Sequence, residues 1–224
     1  MSCVAVIDYG MGNLHSVAKA LEHASESTQT NTHVVVTHDH DAILAADHVV
    51  LPGVGAMRDC MGEINRLGVD KIVREVIAAD TPFLGVCVGM QALLENSDEN
   101  DGTECLGIFD GHVHSFASKF KALSSKKNSF SDLKIPHMGW NQVQQRIDHP
   151  MWHNISDCAR FYFVHSYYTQ PNDTQFIAAT SEYGFEFCAS IAKDNIFATQ
   201  FHPEKSQHAG LQLYANFLNW NGKL

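Results

Sequence analysis

Within the first 96 residues, short apolar runs alternate with stretches of helical periodicity. Runs at 3–8, 33–37, 48–51 and 82–86 have strand character, and apolar residues recur at helical spacing over 13–24, 56–66, 69–79 and 89–96. A strand–helix repeat of this kind buries its apolar faces as a parallel sheet with helices packed on both sides. Asn13 stands where an N-cap is needed for the first helix, since its side chain can accept from an unpaired backbone N–H.

Past Gly107 the pattern changes. Strand-like pieces at 107–116, 138–145, 160–168, 174–181, 185–192 and 195–201 are joined by turns and read as antiparallel or mixed. An amphipathic helix over 206–220, carrying Leu211, Leu213, Tyr214, Phe217 and Leu218, closes the chain. The 224 residues show no internal repeat and suit one α/β domain over 1–224. The segment 117–134 departs in composition, holding five of the fifteen basic residues (Lys119, Lys121, Lys126, Lys127, Lys134) and five serines. It reads as a solvated loop insertion, or as a contact surface for an acidic partner or a phosphate-bearing substrate.

Charge and composition remove several function classes. A net charge of −10 argues against a nucleic-acid binder, whose affinity rests on basic side chains at phosphates. No stretch reaches the roughly 18 apolar residues of a membrane span. The apolar run Cys3–Ile7 lacks a basic flank and meets Asp8 at once, so a buried strand is expected rather than a signal peptide. Six cysteines without a CxxC pair suit free thiols in a reducing compartment, the cytoplasm. Among 14 histidines, His38-Asp39-His40 and His112-Val113-His114 each offer two ligands on one face of an extended segment. No third ligand follows either pair at a zinc spacing, so no metal is expected.

The strand 82–86 runs into Gly85-Val86-Cys87-Val88-Gly89, a G-x-C-x-G at a strand-to-helix turn and the cysteine counterpart of a nucleophile elbow. The turn is too sharp for side chains two positions either side of the nucleophile, which sits at strained backbone angles with its sulfur exposed. The helix start behind Cys87 is expected to favour a thiolate and an oxyanion. The bland alternative is a small apolar filler at a tight turn.

Near the C-terminus, strand 195–201 ends in His202-Pro203-Glu204. In an extended chain, side chains two apart point the same way, so Glu204 can orient His202, whose second nitrogen exchanges a proton with a thiol. A surface ion pair is the alternative for His-x-Glu alone. Together, an elbow cysteine and a late strand-end His-x-Glu fit one site at the carboxyl edge of a parallel sheet.

Gly85-Val86-Cys87-Val88-Gly89-Met90-Gln91 and His202-Pro203-Glu204 resemble, across essentially the whole chain, the class I (triad) glutamine amidotransferases, with Val88 where that family commonly has Leu. Pro52-Gly53-Val54-Gly55, Ile135 to Asn141, Phe161 to Tyr167 and Gln200 to Ser206 resemble, within it, the glutaminase subunits of imidazole glycerol phosphate synthases. The resemblance implies hydrolysis of glutamine by Cys87, His202 and Glu204, with no cofactor. It implies ammonia passed to a (β/α)8-barrel cyclase subunit that makes imidazole glycerol phosphate and an aminoimidazole carboxamide nucleotide in histidine biosynthesis. It further implies an oxyanion hole from the N–H groups of Val88 and Val54. A loop with two glycines can flip a peptide unit cheaply, so Gly53-Val54 is expected to act as a switch, wrong-facing in the free subunit and corrected by the substrate-loaded partner. Gln91 and Glu99 would hold the substrate's α-amino and carboxylate ends, with Asp98 and Glu95 as neighbours that could take the place of Glu99. Gly53, Gly55, His165 and Ser166 would line the pocket, and Asn13, Trp140 and Lys205 would lie at the interface or ammonia gate. Three rival readings are a glutaminase serving a paralogous synthase, a non-catalytic regulatory subunit, and a cysteine peptidase or thiol sensor on a similar fold. The last has no use for the Gln91 and Trp140 motifs, and the complete triad argues against the second.

Overall fold

The short apolar runs of the N-terminal half form four strands, β1 (Cys3–Ile7), β2 (His33–Thr37), β3 (His48–Leu51) and β4 (Phe83–Val86), in the computed structural model of the chain. The structure describes residues 2–28, 30–124 and 133–224. Between the strands lie helices α1 (Leu14–Thr28), α2 (His40–Leu44), α3 (Met57–Arg66) and α4 (Val69–Ala78). β3 and β4 are buried at every position, as both faces of a covered parallel sheet must be. Past β4 come the short α5 (Val88–Gln91), the two-residue strands β5 (Asn96–Ser97) and β6 (Thr103–Glu104), β7 (Gly111–Ser115) and α6 (Phe116–Ser124). The remaining strands are β8 (His137–Gln145), β9 (Ala159–His165), β10 (Tyr167–Pro171), β11 (Ile177–Glu182), β12 (Glu186–Lys193) and β13 (Ile196–Thr199), followed by helix α7 (Gln207–Asn219).

The sheet order is β2-β1-β3-β4-β13-β12-β10-β7-β5-β6, with β11, β8 and β9 branching from β12. The first five strands are parallel, and the later ones pair antiparallel except β5 with β7, which matches the expected mixed α/β architecture. The carboxyl ends of β3, β4 and β13 therefore lie side by side. Leu51 is opposite Gly85, and Thr199 is opposite Val86.

Several elements differ from the sequence expectation, each for a local reason. The helix expected over 89–96 is one turn, because the carbonyls of Ala92, Leu93 and Leu94 are taken by N–H groups of residues 106–109. The segment 38–40 does not continue extended: Asp39 caps α2 by accepting from the Ala42 N–H at 2.8 Å, and His40 is already the first helical residue. The strand expected over 160–168 breaks at Ser166, whose carbonyl bonds to Phe116. The presumed loop 117–134 begins as α6, since Phe116 and Phe120, one helical turn apart, pack against Tyr183 and Phe185. Residues 125–132 of that segment lie outside the described residues.

A chain of neutral imidazoles crosses the second half of the core. His165 Nδ1 donates to the Tyr167 carbonyl at 2.7 Å, which leaves Nε2 to accept from His137 Nδ1 at 2.9 Å; His137 Nε2 then accepts from Asn141 at 3.2 Å. Burial lowers the pKa of His165 to about 3 and of His137 to about 4. Unfolding releases both to about 6.5, so the unfolded chain binds more protons in acid and stability falls as pH drops from about 6.5 toward these folded values. His165 alone then accounts for a loss of about 2 kcal/mol near pH 5. Urea unfolding is expected to show a clearly lower midpoint at about pH 5 than at about pH 7.5; equal midpoints contradict the neutral chain.

Candidate active site

Cys87 sits where β4 turns into α5, at φ 56 and ψ −109, a region that side chains rarely occupy. The strain is held by its neighbours: the Cys87 N–H bonds to the Thr199 carbonyl of β13 at 2.7 Å, and its carbonyl accepts from Met90 and Gln91. The elbow glycines answer to close approach, as anticipated. A Cβ on Gly89 would stand 2.0 Å from the Leu51 carbonyl oxygen, and one on Gly85 would stand 3.0 Å from the Gly89 oxygen. Gly89→Ala is expected to destabilise the chain by about 3 kcal/mol or more, read from chemical denaturation, because backbone on both sides leaves nowhere to relax. With α5 reduced to one turn, the expected dipole contribution at Cys87 shrinks to the nearby N–H groups.

His202 follows β13, and Pro203–Lys205 form a 3-10 turn, so Glu204 is presented by that turn and not by the extended chain anticipated. Pro203 at the first helical position fixes the turn. The result is nonetheless the expected pair: His202 Nδ1 to Glu204 Oε1 is 2.9 Å, with side chains 2% and 1% exposed. Burial alone would lower the His202 pKa, but the Cys87 sulfur first and Glu204 second outweigh it and hold it above the ordinary histidine value. That shift is opposite in sign to those of His165 and His137; its stabilisation is full in acid and is lost above neutrality. Burial first, and Glu204 beside it second, push the ionisation of the Tyr214 hydroxyl of α7 far up. Gln200 points its amide at the Cys87 sulfur, 3.8 Å away.

A cavity of about 510 Å³ opens over Cys87 and His202. Asn13, Val54, Gly55, Val88, Gln91 and Glu99 line it, as do His165, Ser166 and Lys205. Of the neighbours weighed against Glu99, Asp98 is engaged with His112 and His114, and Glu95 accepts from the Gly111 N–H. Glu99 itself accepts from the Met57 N–H at 2.8 Å. The Gln91 amide donates to the Gln200 side chain and the Tyr167 carbonyl. Asn13 precedes α1, and its carbonyl accepts from Val17 at 3.0 Å. Glu204 lies behind His202, outside the wall. Trp140 stands away from the wall on β8, 41% exposed, and with Lys205 flanks the Tyr162 ring.

The loop after β3 bonds back to the elbow. The Gly53 carbonyl accepts from the Val88 N–H at 3.4 Å, so that N–H, one of the two expected oxyanion donors, is engaged within the chain. Tyr9 donates to the Pro52 carbonyl at 2.9 Å, and the Cys60 thiol donates to the Val54 carbonyl at 3.5 Å. Gly53 has no space for a side chain, with a Cβ meeting Tyr9, Gly89 and Val88 within 3 Å. Sequence reasoning did not single out Tyr9, Cys60, Gln200 or Tyr214, because nothing in local spacing connects them to Cys87. Gln200 alone carried a signal, as the residue two before His202.

The comparisons with known proteins agree with this geometry. A family model described as glutamine amidotransferase class-I matches residues 5–220. The chain is 55% identical over 223 residues to imidazole glycerol phosphate synthase subunit HisH 1 of Pseudomonas aeruginosa, covering 100% of this chain and 99% of that one. It is 54% identical to the subunit HisH of Acinetobacter baylyi, covering 99% and 100% of the two chains. Among solved structures, one described as glutamine amidotransferase superposes with a TM-score of 0.69 at 14% identity, covering 98% of both chains. The glutaminase domain of Trypanosoma brucei CTPS does so with 0.66 at 17% identity, covering 97% of this chain and 92% of that one. These last two show the fold alone. The chain belongs to the class-I glutamine amidotransferase family.

Proposed function

We propose that the chain is the glutaminase subunit of an imidazole glycerol phosphate synthase, working in the cytoplasm and passing ammonia to a (β/α)8-barrel cyclase subunit in histidine biosynthesis. The observation that carries the chemistry is the buried His202–Glu204 pair beside a strained Cys87 at the floor of the cavity. Cys87 attacks the side-chain carboxamide carbon of glutamine while His202 Nε2, paired with the sulfur, holds the proton that the thiol has given up. Collapse of the tetrahedral intermediate expels ammonia, which receives that proton, and leaves a glutamyl thioester. Water, activated by His202, then releases glutamate and restores the thiol. Glu204 keeps Nε2 as the reactive nitrogen by binding Nδ1.

The partner is supported by the full-length likeness to HisH subunits and by the surface beside the cavity mouth. Met138 and Trp140, two apart on β8, are 61% and 41% exposed, with Ile135 at 39% just before the strand. Adjacent exposed apolar side chains of this size fit a protein interface. No helix among the described residues is long and apolar enough to cross a membrane. Mixing the chain with the cyclase and its phosphoribulosyl formimino nucleotide is expected to give imidazole glycerol phosphate with glutamine as the nitrogen donor. Product formation from ammonium salts but never from glutamine sinks the proposal.

A further inference from the structure

A second group of side chains, none of which lines the cavity over Cys87, is arranged around a common point. His112 and His114 lie two apart on β7 with buried Val113 between them, so both imidazoles leave one face of the strand. Their rings stand 4.6 Å apart. β5 runs parallel to β7, with Ser97 opposite Val113, and the Asp98 N–H bonds to the Val113 carbonyl at 2.8 Å. This pairing brings the Asp98 carboxylate onto both rings: Oδ1 is 2.6 Å from His112 Nε2, and Oδ2 is 3.3 Å from His114 Nδ1. The Ser115 N–H, 3.1 Å from Oδ2, fixes the carboxylate's orientation. One donor atom from each of the three residues lies within 4.8 Å of the other two.

We propose that Asp98, His112 and His114 form a binding site for a divalent first-row metal ion, with zinc as the best match and solvent completing its coordination. The sequence showed only the two histidines; the third ligand comes from the bend just after β5, where ligand spacing along the chain cannot reveal it. Imidazole nitrogen and carboxylate oxygen suit this class of ion. With zinc–ligand bonds of about 2.0–2.2 Å, tetrahedral donors stand roughly 3.3 Å apart, so the two carboxylate–imidazole spacings are already close. The ion takes the place of the protons that the rings now share with Asp98. The adjoining groove adds Asp101 and Glu104 and, among the described residues, is lined by no lysine or arginine, which favours a cation. The imidazoles are 35% and 37% exposed, so an ion reaches them from solvent.

Calorimetric titration with zinc chloride tests the site in a Cys87→Ala background, which removes the active-site thiol as a competing ligand. One ion per chain is expected, with affinity falling at least about tenfold on His112→Ala and on His114→Ala. Cobalt(II) bound in place of zinc is expected to lack the sulfur-to-metal absorption of a thiolate site. With Cys87 restored, both histidine variants are expected to keep glutamate release unchanged. If an alanine variant fails to fold, Asp98→Asn provides the same loss of affinity while retaining an acceptor for Ser115. No binding, binding indifferent to these substitutions, or a cobalt thiolate band overturns the proposal.

Discussion

Cys87→Ala is expected to reduce glutamate release by about 10⁴-fold or more, since removing the nucleophile leaves only binding and oxyanion contacts to act on glutamine. The fold should survive. Cys87 is 5% exposed, and alanine fits the same space without altering the backbone contacts to Thr199, Met90 and Gln91. Steady-state glutamate release and a urea melt, measured together, separate lost chemistry from lost structure. In the complex with the cyclase, ammonium salts are expected to restore synthesis in this variant. A regulatory subunit without catalysis predicts the opposite: glutamine-dependent synthesis would persist without the thiol.

The second large effect concerns the loop after β3. Glutamate release by the free chain is expected to lie about 10²- to 10³-fold below that of the complex loaded with the nucleotide, the usual worth of one oxyanion donor. On the proposed mechanism the physical reason is the Gly53 carbonyl, which accepts from the Val88 N–H that the oxyanion would need. Turning the Gly53–Val54 peptide replaces that carbonyl with the Val54 N–H. The turn is made about ψ of Gly53 and φ of Val54, and the glycine lowers its cost on one side. Tyr9 on Pro52 and Cys60 on Val54 hold the residues either side, so the motion is confined to one peptide unit. Equal turnover in the free chain and the loaded complex contradicts this account.

Much of the framework was legible in the sequence because its signals are local. Val49, Val50 and Leu51 announce a fully buried strand, and G-x-C-x-G announces a turn that no Cβ can enter. His-Pro-Glu announced the pair but not its geometry, since proline started a 3-10 turn where an extended chain was expected. The failures share a cause. The helix after Cys87 stopped early because carbonyls of 92–94 found partners at 106–109, an interaction between segments that periodicity does not encode. The His137–His165 chain, Tyr214 behind Glu204 and Asp98 between two histidines are likewise products of strand pairing and packing, and each looks ordinary along the chain.

The central claim is that Cys87 is the nucleophile that attacks glutamine. Alkylation of the cyclase-bound chain by a diazoketone analogue of glutamine, located by peptide mass spectrometry, tests it most directly. The account predicts a single adduct on Cys87 that excess glutamine prevents and that Cys87→Ala abolishes. An unlabelled Cys87, or labelling that falls instead on the exposed thiol of Cys158 and ignores glutamine, would contradict it.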